Sequence, residues 1–131
     1  AQWGGRFVGS GRLVEIKTIT AFMASPLSWS FEDPTKPGWN EPTKGMLGNG
    51  FGWGQSSHIL AWIYHTCPTL RPHNIFCAMT HAPITGADVA HAATIRCRNE
   101  TSHDAVISLS GTSLLPGNAH SDPPVGKQIL L

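Results

Sequence analysis

The sequence predicts an α+β fold in which an open, mostly antiparallel β-sheet carries one main helix packed on one face. Residues 12–24, 87–99 and 104–115 alternate with period two and contain many β-branched side chains, as strands do. Residues 57–65 form one continuous apolar stretch that is typical of a helix. The later strand candidates, which include residues 74–81, follow one another through short links. Such an order favours antiparallel pairing with the helix kept to one face.

The length and charge of the chain limit its class. With 131 residues the chain fits a single domain that can bury a core without disulfides or metal. Charged residues make up 13% of it, against about 25% in typical soluble domains. We therefore expect part of the surface to be covered by a second copy or another domain. A net charge of +1 without a Lys/Arg cluster argues against nucleic-acid binding.

The cysteines and the apolar segments bear on location. Cys67, Cys77 and Cys97 are odd in number and form no CxxC pair, which predicts buried free thiols in a reducing compartment. No segment reaches the roughly 18 apolar residues of a membrane span. The first residues also lack an apolar core of signal-peptide length. The expected location is the cytoplasm, with no membrane partner.

The first third of the chain is expected to be mostly irregular. Residues 1–11 are rich in glycine and predict a loop, which the strand at residues 12–24 follows. Residues 25–44 carry four prolines together with Trp29 and Trp39. A loop of this length serves either as a lid over a binding site or as a strap that covers the sheet with its tryptophans.

A glycine run leads into the helix. Its alternating glycines are Gly48, Gly50, Gly52 and Gly54. Ser56 and Ser57 follow at the place where a helix cap belongs. The helix is expected to reach Thr66 and to end before Pro68. Because nearly all its side chains are apolar, it is predicted to be a buried or interface helix.

The end of the chain combines a hairpin with an apolar terminus. The polar residues 100–103 are expected to join the last two long strands as a hairpin. Residues 116–126 predict an irregular tail, and residues 127–131 end on three apolar side chains. Such an end indicates either packing or a sequence that continues. We therefore expect residues 1–131 to form one domain cut from a longer protein.

The glycine run does not fit a nucleotide-binding loop. Trp53 and Gln55 stand where the GxGxxG fingerprint requires glycine, and no buried strand precedes the run. None of the seven histidines forms an HExxH, HxxxH or HxH pattern, and the cysteines lack zinc spacing. We expect neither a bound nucleotide nor a metal.

His58, in the first turn of the predicted helix, is the candidate for acid–base chemistry. A histidine in this position can accept and return a proton near neutral pH. The alternative is a structural histidine that packs without chemistry. Ser57, its neighbour, is a capping residue before it is a nucleophile, because no acid partner has a recognisable spacing.

Residues 48–62, GNGFGWGQSSHILAW, resemble the second domain of the glucose-fructose oxidoreductase / inositol dehydrogenase (Gfo/Idh/MocA) family. Weaker similarity in residues 9–19 and 88–111 extends the resemblance over most of residues 9–116. The family joins a Rossmann domain to an α+β domain with a large antiparallel sheet. The resemblance implies that His58 falls at the family's histidine, which acts beside the sugar hydroxyl that is oxidised.

Two departures qualify what the resemblance implies. Gly54 stands where many members of the family have an aspartate, and the Rossmann half with its lysine is not in this sequence. The chain is therefore expected to be inactive alone and to bind no cofactor, with NAD or NADP belonging to a complete homologue. His58 would be catalytic, Asn49 and Gln55 would bind the substrate, and Trp39 would provide a stacking wall. The expected ligand is a sugar or polyol.

Two other functions remain open. The low charge content also fits a stand-alone interaction module that dimerises through its sheet. A homo-oligomer formed through the sheet face is accordingly the expected partner arrangement. A small one-domain enzyme is the third interpretation, and it requires one pocket lined by both His58 and His91.

Overall fold

The computed structural model of the chain describes residues 2–10, 15–32, 50–98, 104–118, 123, 125–126 and 129–131. In chain order the elements are α1 (Gln2–Gly9), β1 (Thr18–Ala24), α2 (Ser28–Glu32), a π-helical turn (Gly52–Ser56), α3 (Ser57–Thr66), β2 (Arg71–His81), β3 (Asp88–Arg98), β4 (Asp104–Thr112) and β5 (Ile129–Leu130). Within the described ranges, no helix has the length and apolar character needed to cross a membrane.

The described strands form one open sheet in the order β2-β3-β4-β1-β5. The pairs β2–β3, β3–β4 and β1–β5 are antiparallel, and only β1–β4 is parallel. The predicted α+β fold with a mostly antiparallel sheet is thus confirmed. The parallel pair arises because the chain between β1 and β4 contains α3 and two further strands, which return it to the sheet in the direction of β1.

Helix α3 covers one face of this sheet. It buries Ile59 and Ile63, which are 1% and 6% exposed. The strand residues buried on the same side alternate along β3 and β4, and they are Val89, His91, Ile95, Cys97, Ala105, Ile107 and Leu109. The period-two alternation expected for these strands is therefore observed, and His91 lies on the buried face among apolar neighbours.

The surface of α3 and of β2 differs from expectation. Trp62 is 43% exposed and His58 lies on the surface, so α3 is buried on one side only. All eleven residues of β2 are exposed, and β2 is an edge strand of the described sheet. Cys67 and Cys97 are buried free thiols as predicted, but Cys77 on β2 is exposed.

The two ends of the described chain are more ordered than predicted. The expected loop at residues 1–11 was wrong in its main part, because Gln2–Gly9 forms α1, with Val8 against the core. At the other end, Leu131 and Phe22 exchange main-chain hydrogen bonds of 2.8 and 2.9 Å. The apolar terminus therefore pairs with β1. The predicted turn at residues 100–103 lies outside the described residues, although the strands on either side pair as a hairpin.

Candidate functional site

The described part of the glycine run begins at Gly50, enters a π-helical turn at Gly52 and packs against Asp88, the first residue of β3. The N–H of Gly52 donates a hydrogen bond of 2.5 Å to Asp88 Oδ2, and Asp88 is 1% exposed. A methyl group on Gly50 would lie 2.4 Å from both the main-chain oxygen and Oδ1 of Asp88. On Gly52 it would lie 3.0 Å from Oδ2. Gly50 and Gly52 therefore serve close backbone packing.

A second buried contact holds the junction between the π-helical turn and α3. Ser56 Oγ lies 2.9 Å from Nε2 of His91, and the two residues are 3% and 7% exposed. Opposite His91 on β4, a methyl group on Gly111 would approach the His91 ring to 2.6 Å. The neighbouring strand thus leaves space for the imidazole only because it carries glycine there.

Ser56 does not cap α3. Its backbone is helical, with φ −73° and ψ −19°, and its side chain makes no capping hydrogen bond. The predicted cap was wrong because the chain is already helical through the preceding π turn, so α3 has no free first turn at this point. The hydroxyl bonds to His91 instead.

Burial governs the electrostatics of this cluster. Desolvation lowers the pKa of His91, while the negative charge of Asp88 acts in the opposite direction. Among the described residues, His91 Nδ1 and Asp88 Oδ1 are buried without a hydrogen-bond partner, so Asp88 does not complete a Ser–His–Asp triad. Because Ser56 is buried as well, the cluster is suited to fixing α3 against the sheet rather than to nucleophilic attack.

His58 follows the buried Ser56 by two residues but lies at the surface. It is exposed and lines a cleft of about 380 Å³ together with Gln55 from the π turn, Met23 from β1 and Leu130 from β5. The cleft therefore combines an imidazole and an amide with two apolar side chains. An arrangement of this kind can bind a small polar molecule and exchange a proton with it.

A second cleft adjoins the first across Gln55, which lines both. Its volume is about 590 Å³, and its walls include Trp29 and Ser30 from α2 and Trp53 from the π turn. Trp53 is 66% exposed, and Trp29 is oriented by a 3.2 Å hydrogen bond from its Nε1 to the main-chain oxygen of Pro26. We call this the tryptophan cleft.

The predicted site residues are brought together in part. His58 and Gln55 line one cleft, whereas Asn49 and Trp39 lie outside the described residues. His91 is buried in the core and bonds to Ser56, while His58 is at the surface. The single pocket that the one-domain enzyme interpretation requires is therefore not formed by these two histidines.

Sequence reasoning missed Trp53 and the Asp88–Gly52 contact. In the sequence, Trp53 is informative only because it breaks the glycine fingerprint, and no local signal predicts its exposure. The signal for the buried cluster was His91 on the apolar face of a strand, since a polar side chain in that position needs a partner.

Two features of the described residues bear on metal and dinucleotide binding. These residues contain no group of three or more His, Cys, Asp or Glu side chains that could hold a metal ion. The amide of Gly52 is directed to a carboxylate, so the π turn presents negative charge where a pyrophosphate would need a donor. The glycine run consequently does not fit the phosphates of a nicotinamide dinucleotide.

The sequence matches no protein-family profile and no curated protein. Its fold is similar to that of the "putative dehydrogenase" of Bordetella bronchiseptica RB50, with a TM-score of 0.65 and 15% identity, over 86% of this chain and 27% of that one. The fold is also similar to that of the "putative myo-inositol dehydrogenase" of Sinorhizobium meliloti 1021, with a TM-score of 0.55 and 12% identity. This match covers 85% of this chain and 31% of that protein. The chain thus spans less than a third of either protein and shares the fold of one part of each.

Proposed function

We propose that this chain is the substrate-binding and oligomerisation domain of an oxidoreductase similar to the Gfo/Idh/MocA family, and that its substrate is a sugar or polyol. The observation that carries the proposal is the exposure of His58 in a cleft beside Gln55. The fold shared with part of two dehydrogenase-like structures supports it.

In this proposal His58 accepts the proton of the substrate hydroxyl that is oxidised. An imidazole performs this step at neutral pH when the hydroxyl lies within hydrogen-bond distance. Gln55 supplies an amide that can both donate to and accept from neighbouring hydroxyls. Met23 and Leu130 contribute the apolar surface on which the carbon skeleton rests.

The buried contacts of Ser56 and Gly52 with β3 fix the backbone on which His58 is carried. Ser56 precedes His58 by two residues, and its bond to His91 ties the start of α3 to β3. The Gly52–Asp88 bond ties the preceding turn to the same strand. Because both contacts are buried, the backbone that carries His58 is held in one position, as a site for proton transfer requires.

The hydride acceptor belongs outside this chain. A nicotinamide, when bound in a complete enzyme, accepts the hydride, but the glycine run here is occupied by Asp88 and does not fit its phosphates. Gly54 also replaces the acid that many family members place before the histidine. We therefore expect the chain alone to bind a polyol and to reduce neither NAD nor NADP.

The test is ligand binding by NMR with a matched control. The labelled chain is titrated with myo-inositol and with D-glucose, first as wild type, then as His58→Gln and His65→Gln. His65 is an exposed histidine on the same helix that lies outside the cleft. His58→Gln should weaken binding up to about tenfold, the value of one good hydrogen bond, while His65→Gln should leave it unchanged. Equal affinity in both variants would contradict the role of His58.

The stand-alone interaction module is a second candidate, and the exposed edge strand β2 favours it. Phe76 is 71% exposed and lies in register with the exposed Thr94, Ser108 and Thr20 across the sheet face opposite α3. This row is uncharged, and a second copy would shield both the open face and the unpaired edge. Light scattering should report a dimer that Phe76→Asp converts to a monomer. A wild-type monomer at every concentration tested would exclude this interface.

A further inference from the structure

The tryptophan cleft has no part in the proton transfer assigned to His58, yet it has the features of a binding site. Two indoles from different elements, Trp29 on α2 and Trp53 on the π turn, line the same space of about 590 Å³. This volume is within the range of small-molecule sites. Trp53 is 66% exposed, so its ring is accessible to a ligand in this space.

The polar groups in the cleft indicate the class of ligand. Its described lining contains the hydroxyls of Ser30 and Ser57 and the amide of Gln55, and none of these side chains is ionisable. A charged ligand would be desolvated there without an opposite charge. A sugar ring, in contrast, offers a C–H face to an indole and hydroxyls at its edge to serine and glutamine.

We propose that the tryptophan cleft is a second subsite that binds a neutral sugar ring, so that the substrate is a glycoside of at least two rings rather than a free monosaccharide. The inference rests on the proposed function, because the first ring is the one held beside His58. Gln55 lines both clefts, so in this proposal the two rings of the ligand lie on either side of this residue.

The orientation of the indoles fits this use. Trp29 is fixed by its bond to Pro26, which lowers the entropy lost when a ring stacks on it. Trp53 is carried by the π turn, whose backbone is fixed against Asp88. The two stacking surfaces are therefore in place before a ligand arrives.

The experiment compares one ring with two. Indole N–H signals and affinities are measured by NMR for D-glucose and for maltose, cellobiose and lactose. At least one disaccharide should bind about tenfold more tightly than glucose and shift the Trp53 signal. Trp53→Ala should abolish this gain, and Trp53→Phe should retain most of it. Trp62→Ala is the matched control, since Trp62 is an exposed indole that lines a different cleft.

The outcomes separate this inference from the proposed function. If glucose binds in a His58-dependent way and no disaccharide binds more tightly, the second subsite is refuted while the proposed function stands. If disaccharides bind through Trp53 and His58→Gln has no effect, the cleft does bind a sugar ring but the proposed function fails. A gain that survives Trp53→Ala, or is lost equally in Trp62→Ala, also overturns the inference.

Discussion

Gly50→Ala tests whether the glycine run exists for close packing against Asp88. The added methyl group would lie 2.4 Å from the main-chain oxygen of Asp88, 2.4 Å from Oδ1 and 2.5 Å from its main-chain nitrogen. Two of these three atoms belong to a strand backbone that is paired with its neighbours. The turn or β3 must therefore move, since no side-chain rotation can relieve the contact.

The geometry predicts the size of the effect and supplies its control. Overpacking of this kind costs about 1–3 kcal/mol of the free energy of unfolding. Gly52→Ala should cost less, because its nearest contact is 3.0 Å and involves the end of the Asp88 side chain. Gly5→Ala is the matched control: nothing lies within 4 Å of its added methyl group, and in helix α1 it should stabilise by up to about 1 kcal/mol.

Urea unfolding followed by far-UV circular dichroism provides the assay. With a slope of about 1–3 kcal/mol per molar urea, a loss of 2 kcal/mol lowers the midpoint by about 1 M. The order of stability should be Gly5→Ala at or above wild type, then Gly52→Ala, then Gly50→Ala. If Gly50→Ala were as stable as wild type, or Gly5→Ala equally destabilised, the packing explanation of the glycine run would be wrong.

Three further predictions concern the core and the thiols. Because burial lowers the pKa of His91, the unfolded chain takes up a proton at a higher pH than the folded chain does. The free energy of unfolding should therefore decrease as the pH is lowered below about 6.5, by at most about 1.4 kcal/mol per pH unit. In urea titrations, His91→Gln should flatten this dependence on pH. Ile107→Ala, at a fully buried position, should cost about 2–5 kcal/mol by the same assay. A thiol reagent should label Cys77 in the folded protein and Cys67 only after unfolding. Because partial desolvation and then the negative charge of Asp88 raise the pKa of the exposed Cys77 thiol, its labelling should quicken as pH rises.

Each of these three predictions has a result that would contradict it. An unchanged pH slope in His91→Gln would show that His91 is not the group that titrates. A loss below about 1 kcal/mol in Ile107→Ala would mean that the core closes around the missing atoms. Faster labelling of Cys67 than of Cys77 would contradict the exposed position of β2.

The regular part of the fold could be predicted because it is encoded locally. Alternation along residues 87–99 predicts a strand with two distinct faces, and the structure buries the face that runs from Val89 to Cys97. Helix α3 ends at Thr66, where Pro68 prevents its continuation. In both cases the deciding interactions lie within a few residues.

The remainder depends on contacts between distant segments. The glycines of Gln2–Gly9 favour a loop, but Val8 packs against the core and the segment forms α1. The parallel pairing of β1 with β4 joins strands more than 80 residues apart, and their local sequences do not record its direction. The odd number of cysteines and the lack of a CxxC pair predict buried thiols, but Cys77 is exposed because β2 is an edge strand.

The candidate site shows the same division. His58 could be selected from its place at the start of an apolar helix, and it lines a cleft with Gln55. The contacts that hold it in position join residues about 35 apart, Ser56 to His91 and Gly52 to Asp88, and no short motif encodes them. Trp29, which lines the tryptophan cleft with Trp53, belongs to a segment predicted to be an irregular lid or strap, whereas the structure places it on helix α2.

The most direct test of the central claim is a crystal structure of the 131-residue chain soaked with myo-inositol or D-glucose. We predict a ligand hydroxyl about 2.6–3.2 Å from a ring nitrogen of His58, with Gln55 in contact with the same ring. A ligand bound elsewhere while the His58 cleft contains only water, at concentrations that saturate the chain in solution, would contradict the assignment of this chain as a sugar- or polyol-binding domain.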